Sequence, residues 1–167
     1  PDHPKWHMSV SPTEDGRYLI AYQTECTEPK NRIWVKDLRR LGAGFKPLFD
    51  AFDAEYSVVD NEGPLFFVKT THDAPRGRLV AVDLRRPQPE NWRVVIPEGK
   101  NRDVLTGVMH VGRRFVVVWG TDAHEVMKVY GPRGGFLYQV KLPGIGSVGG
   151  FSTESRQEKK IGFLNYS

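Results

Sequence analysis

Short apolar runs alternate with turn residues along almost the whole chain. Runs rich in Val, Ile, Phe, Tyr and Trp fall near Trp6–Ser11, Tyr18–Thr24, Arg32–Asp37 and Phe45–Leu48. A second set lies near Tyr56–Val59, Leu65–Thr70, Arg78–Asp83 and Trp92–Ile96. A third lies near Leu105–Val111, Phe115–Gly120, Val126–Tyr130 and Phe136–Val140. The 17 Gly and 12 Pro punctuate these runs, as in proteins built of many short strands and tight turns. No segment longer than about ten residues sustains a helical period. The pattern predicts an all-β chain.

The three sets repeat one another. Gly16, Gly63 and Gly112 stand 47 and 49 residues apart, each just before an apolar run. Asp37-Leu38-Arg39-Arg40 returns 46 residues later as Asp83-Leu84-Arg85-Arg86, closing the third run of its set each time. A further copy begins at Ile145–Phe151 and Lys160–Tyr166. Four strands per unit at a period in the forties is the pattern of a β-propeller blade. The expected architecture is a partial β-propeller of about three and a half four-stranded antiparallel blades. Their bounds fall near residues 1–50, 51–99 and 100–142, with a partial blade at 143–167. A single four-stranded sheet cannot bury both faces, so neighbouring blades must share a core. An open arc leaves a blade face uncovered at each end and an unpaired edge near Lys160–Tyr166. Self-association through these open ends is expected, for instance two arcs completing a ring of seven blades.

Composition narrows the class. At 167 residues the chain has room for one domain with a sizeable core. No apolar run approaches the roughly 20 residues of a membrane helix, so no membrane role is expected. Twenty-four Lys and Arg against 20 Asp and Glu leave a net charge of +4, too mild and too mixed for a nucleic-acid footprint. The single cysteine, Cys26, excludes an intramolecular disulfide and accords with a reducing compartment. The chain opens PDHPKWHM, without initiator Met, leader or cleavage site, and is expected to be cut from something longer or processed.

Isolated motifs have plainer explanations. Gly144, Gly146 and Gly149 match a dinucleotide fingerprint, but neither a helix nor a βαβ context surrounds them, and a crossing between blades accounts for them better. His3, His7, His72, His110 and His124 form no metal-ligating spacing, and His124 reads as an exposed turn histidine. No metal and no cofactor are expected. Arg39-Arg40, Arg85-Arg86 and Arg113-Arg114 read as solvated rim rather than a phosphate stripe, since the third pair falls at a different turn. Trp6, Trp34, Trp92 and Trp119 read as inter-blade core. No serine has glycine at both −2 and +2, so no nucleophile elbow is present; Ser147 has Gly149 at +2 but Ile145 at −2.

The stretches PKWHMSVSPTEDGRYLIAY, NRIWVKDL, NEGPLFFVKTTHDAPRGRLVAVDL, NWRVVIPE followed by DVL, and LPGIGSVGGFS are similar to the propeller of prolyl oligopeptidases. These are cytosolic-type serine peptidases that cleave after proline in short peptides. The resemblance implies a seven-bladed propeller capping an α/β-hydrolase domain and screening substrates by size, with this chain forming roughly its second half. The catalytic Ser, Asp and His would lie on the hydrolase domain, outside this chain, which alone would hydrolyse nothing. The implied partners are that hydrolase domain and a short peptide, and the implied location is cytoplasmic. The resemblance also implies a pocket wall. The loop carrying Cys26 would reach the central cavity, beside a substrate subsite. Gln23 stands where the family has an arginine that meets a substrate carbonyl, and His7 and Met8 lie where the family offers an apolar wall. A plain loop cysteine explains Cys26 as readily. A free-standing propeller-like interaction module remains the alternative for the whole chain.

Overall fold

A computed structural model describes residues 6–122, 124–142, 148–153 and 162–166, and it is built of strands. The first four are β1 (Trp6–Pro12), β2 (Tyr18–Glu25), β3 (Asn31–Asp37) and β4 (Lys46–Phe49). Next come β5 (Tyr56–Glu62), β6 (Leu65–Thr70), β7 (Arg78–Asp83) and β8 (Arg93–Ile96). A third group is β9 (Val104–Val111), β10 (Arg114–Thr121), β11 (His124–Tyr130) and β12 (Phe136–Val140). β13 (Val148–Thr153) pairs antiparallel with β14 (Gly162–Tyr166). Each group of four forms one sheet whose strands lie in chain order, and the only described helix is one 3-10 turn at Pro89–Asn91. The repeat read from the sequence is therefore a repeat of four-stranded meanders.

Local chemistry explains the turns and edges. Gly16, Gly63 and Gly112 have φ of +65°, +56° and +53°, the left-handed region that a tight hairpin requires and glycine enters without a Cβ clash. Pro12 and Pro47 lack an amide N–H, and both lie on edge strands of the first sheet, where no ladder bond is lost.

The described chain divides into two compact units. One comprises Pro1–Asp73 with Val80–Arg93, the other Ala74–Leu79 with Val94–Ser167. The core of the first gathers Tyr18, Ile20, Ile33 and Val35 from the first sheet with Tyr56, Phe66, Val68, Val80 and Val82 from the second. Alternation along β2 and β3 puts those first-sheet residues on one face. Asn31 fastens the two sheets within this unit: its side-chain oxygen accepts the Tyr56 amide at 2.7 Å, and its amide nitrogen donates to the Tyr56 carbonyl at 2.9 Å. In the second unit, buried Trp119 donates its indole N–H to the Tyr130 hydroxyl at 3.1 Å. Gly99 lies so close that an added Cβ would sit 2.7 Å from that indole and 2.1 Å from the Asp103 carbonyl oxygen.

Several expectations shift in detail. Trp92 lies just outside β8, capping the 3-10 turn and donating its indole N–H to the Pro87 carbonyl at 2.7 Å. It still packs edge-on against Phe49 and Tyr56, and Trp119 is buried as expected. Trp6 and Trp34 are half-buried. His124 is exposed but opens β11 rather than sitting in the turn, because Thr121 pairs with it across β10 and β11. His3, Gly144, Gly146 and Ser147 lie outside the described residues.

Candidate functional site

The residues singled out beforehand sit together at one end of the first sheet, on both of its faces. In the β1–β2 ladder Met8 lies opposite Gln23, and His7 lies opposite Thr24. In the β2–β3 ladder Gln23 lies opposite Arg32 and Thr24 opposite Asn31. Directly opposed residues share a face, and neighbours along a strand do not. Met8, Gln23 and Arg32 therefore form one row on one face. His7 belongs to the other face, in the row with Thr24 and the Asn31 clamp. Met8 is 64% exposed at the edge strand while Gln23 is buried. Cys26 is a free, exposed thiol one residue beyond β2, with φ of +48° in a turn closed by the Glu28 amide on the Glu25 carbonyl at 3.0 Å.

Arg32 is the residue that inspection of the sequence overlooks. Its guanidinium lies over the Phe52 ring at 4.3 Å and near the Trp6 ring at 5.7 Å, a cation–π arrangement that holds a charge against apolar rings. Its Nε is buried with no acceptor among the described residues, as is the indole N–H of Trp34. Val10 lies opposite Ala21, and Ala21 opposite Trp34, so Val10 and Trp34 extend the face of the Met8 row. That face therefore carries exposed apolar side chains, unmet donors and one arginine two strands from Met8. No sequence motif marks Arg32; only the strand register sets it across from Gln23.

The opposite end of the same unit carries the repeated tetrapeptide. In the first sheet the Asp37 carboxylate accepts the Arg39 amide at 3.0 Å and the Arg17 guanidinium at 3.2 Å. Burial disfavours its charge, but those two donors outweigh burial and hold Asp37 below the usual carboxylate range. In the second sheet Asp83 accepts the Arg85 amide at 3.0 Å, and its ion partner is the Arg85 guanidinium itself at 2.6 Å. The Arg85 side chain and then its amide hold the Asp83 carboxyl down to about 2.

A smaller cavity of about 260 Å³ in this unit is lined by Phe49, Tyr56, His72, Trp92 and Asp53 among others. Its rings are committed to one another: Phe49 and Tyr56 stack at 4.0 Å, and the Tyr56 hydroxyl donates to Asp53 at 2.9 Å. His72 Nδ1 lies 3.2 Å from the Asp53 carboxylate. That cluster builds packing rather than an open ring face. Among the described residues no three His, Cys, Asp or Glu side chains converge as metal ligands, and no helix is long and apolar enough to cross a membrane.

The family model described as prolyl oligopeptidase, N-terminal beta-propeller domain, matches residues 1–167. A prolyl endopeptidase of Elizabethkingia miricola is 33% identical over 165 residues, 98% of this chain and 23% of that protein. The structure of apo prolyl oligopeptidase B from Galerina marginata superposes with a TM-score of 0.85 at 28% identity, over 99% of this chain and 23% of that one. The same protein bound to a 35mer hydrolysis and macrocyclization substrate gives the same score and coverage. The chain thus spans about a quarter of the length of the relatives it matches.

Proposed function

The chain belongs to the prolyl oligopeptidase family as part of its N-terminal β-propeller, and from that premise we propose that it forms the gating half of a proline-directed serine endopeptidase. Acyl-enzyme chemistry then runs on a hydrolase domain, and the propeller admits short peptides while holding back folded proteins. The observation that carries this reading is the coincidence of full coverage here with quarter coverage of the relatives: the match uses all of this chain and leaves most of each peptidase for other parts. The ring would hold seven blades, of which this chain supplies about three and a half, and the location would be cytoplasmic.

Within that reading the Met8, Gln23 and Arg32 row and the Cys26 turn line the substrate side, with His7 behind them. Gln23 replaces an arginine of the family, and Arg32, one strand over in the same row, supplies a guanidinium for a substrate carbonyl. The exposed Met8 and Val10, with the unmet donors of Arg32 and Trp34, suit a face that meets a bound peptide. In the isolated chain the same face would drive self-association, read as a sedimentation coefficient that rises with concentration.

The test is the native gene product. Its denatured mass should be several times 19.0 kDa, and it should cleave a proline-containing peptide that the 19.0 kDa chain alone leaves intact. A native mass near 19.0 kDa, or cleavage by the chain alone, overturns the proposal.

A further inference from the structure

The tetrapeptide arginines read from sequence as solvated rim are all exposed, and two of them also border a cavity. Arg39 and Arg86 are exposed and contribute nothing to any cavity described here. Arg40 and Arg85, one from each tetrapeptide and exposed as well, line a common cavity of about 510 Å³ together with Arg17 and Lys46. Four basic side chains thus face one carboxylate, Asp37. Two of the four are already engaged: Arg17 with Asp37 at 3.2 Å and Arg85 with Asp83 at 2.6 Å. Among the described residues Arg40 and Lys46 make no close ion pair, although Arg40 lies near enough to Asp37 to favour its charge, and Arg17 keeps a buried Nε–H with no acceptor. The remaining wall is apolar, with Tyr18, Leu48 and Leu84 prominent. Its volume lies within the roughly 300–1,000 Å³ of small-molecule sites, and such sites combine an apolar lining with a few convergent polar groups.

We propose that this cavity binds a small organic oligophosphate. Its phosphates would meet Arg40 and Lys46, and its organic body would lie on Pro47, Leu48 and Leu84. The donor set selects the chemistry. Guanidinium forks match phosphate oxygens in pairs, and Lys46 adds a mobile point charge. A simple carboxylate would engage only part of the set, while the concave apolar wall favours a ligand with a body over bare inorganic phosphate. The cavity lies at the end of the first sheet opposite the Cys26 turn, so its occupant is not the peptide of the proposed reaction.

Isothermal titration of the native gene product with ATP as the probe tests the proposal. Saturable binding is expected, weaker with tripolyphosphate and absent with adenosine. Arg40→Gln combined with Lys46→Gln should weaken ATP binding about tenfold or more. Both side chains are exposed, so the unliganded melting temperature should not move. Arg39→Gln combined with Arg86→Gln removes the same charge from the two tetrapeptides outside the cavity lining and should leave ATP affinity within about twofold, since exposed charges that make no contact with the ligand are largely screened. Vesicles carrying a phosphoinositide separate a lipid headgroup from a soluble ligand, and ATP should displace any vesicle binding. No saturable ATP binding, equal losses in the two double variants, or vesicle binding that ATP leaves in place would overturn it. These readouts are independent of peptidase activity.

Discussion

The first and second sheets carry the same tetrapeptide on the same backbone, and they neutralise its aspartate differently. The Leu38 amide donates to the Arg17 carbonyl at 2.8 Å, and the Leu84 amide donates to the Pro64 carbonyl at 2.9 Å. The Arg39 and Arg85 amides close identical 3.0 Å turns onto Asp37 and Asp83. The difference lies in the neighbouring hairpin. Residue 17 is an arginine whose guanidinium reaches across to Asp37, whereas residue 64, its counterpart, is a proline with no charge to offer. Asp83 therefore turns to Arg85 two residues away, on a side chain 75% exposed, while the Arg17–Asp37 pair is mostly shielded at 25% and 17% exposure. A repeat can preserve a hydrogen-bonded backbone and still redistribute its charges, because main-chain bonds depend on the strand path and ion pairs on single residues.

The largest break in the symmetry comes from Asn31, whose side chain makes two hydrogen bonds from the first sheet to the Tyr56 backbone. Asn31→Ala leaves a buried amide and carbonyl unpaired and should cost about 2–4 kcal/mol in chemical denaturation. The second-sheet counterpart, Arg78, makes no such clamp, so Arg78→Ala should shift the midpoint less. A midpoint that moves equally in both would remove the distinction.

Next come the two aspartate partners. Arg17→Ala should lower the melting temperature more than Arg85→Ala, because the two carboxylates are similarly shielded but the Arg17 guanidinium is 25% exposed and the Arg85 guanidinium 75%, so more packing and a less screened ion pair are lost with Arg17. Pro64→Arg should sharpen the contrast by giving Asp83 a partner across the hairpin, and Arg85→Ala in that background should then cost less than in the parent.

A smaller effect is expected with pH. The Asp83 carboxyl is held near about 2 in the folded chain, against about 3.9 for an unperturbed aspartate. The folded state thus binds this proton less readily than the unfolded one. The associated stability is fully present above pH ~4 and is lost as pH falls toward ~2. Asp83→Asn should flatten that limb of the stability profile. Asp37→Asn should flatten it too, since that carboxyl is also held low. The smallest effect belongs to Arg39→Ala and Arg86→Ala, exposed and outside the cavity, which should leave stability unchanged.

The sequence made the meander legible because period-two burial and turn glycines are local signals. Leu65–Thr70, Arg78–Asp83 and Phe136–Val140 were readable residue for residue. β5 runs on to Glu62, past the expected Val59, because the turn to β6 is so tight that polar Asp60 and Asn61 still pair with Phe67 and Phe66. What stayed hidden was long-range. The partner of Asp37 stands 20 residues away, and the separate turns that bring Arg17, Arg40, Lys46 and Arg85 to one cavity meet only in the folded unit. At the candidate pocket wall, Gln23 and Cys26 could be singled out by resemblance. Arg32 could not, since its place opposite Gln23 is a matter of register; strand alternation separates His7 from Met8, but only the register shows which of them shares a face with Gln23.

The position of the reactive serine decides whether catalysis lies outside this chain. Treating the native gene product with a fluorophosphonate that acylates activated serines, then mapping the modified peptide by mass spectrometry, locates it. A single modified serine outside these 167 residues, with loss of proline-peptide cleavage, is the predicted result. A modified serine within these residues, or no modified serine at all, would contradict it.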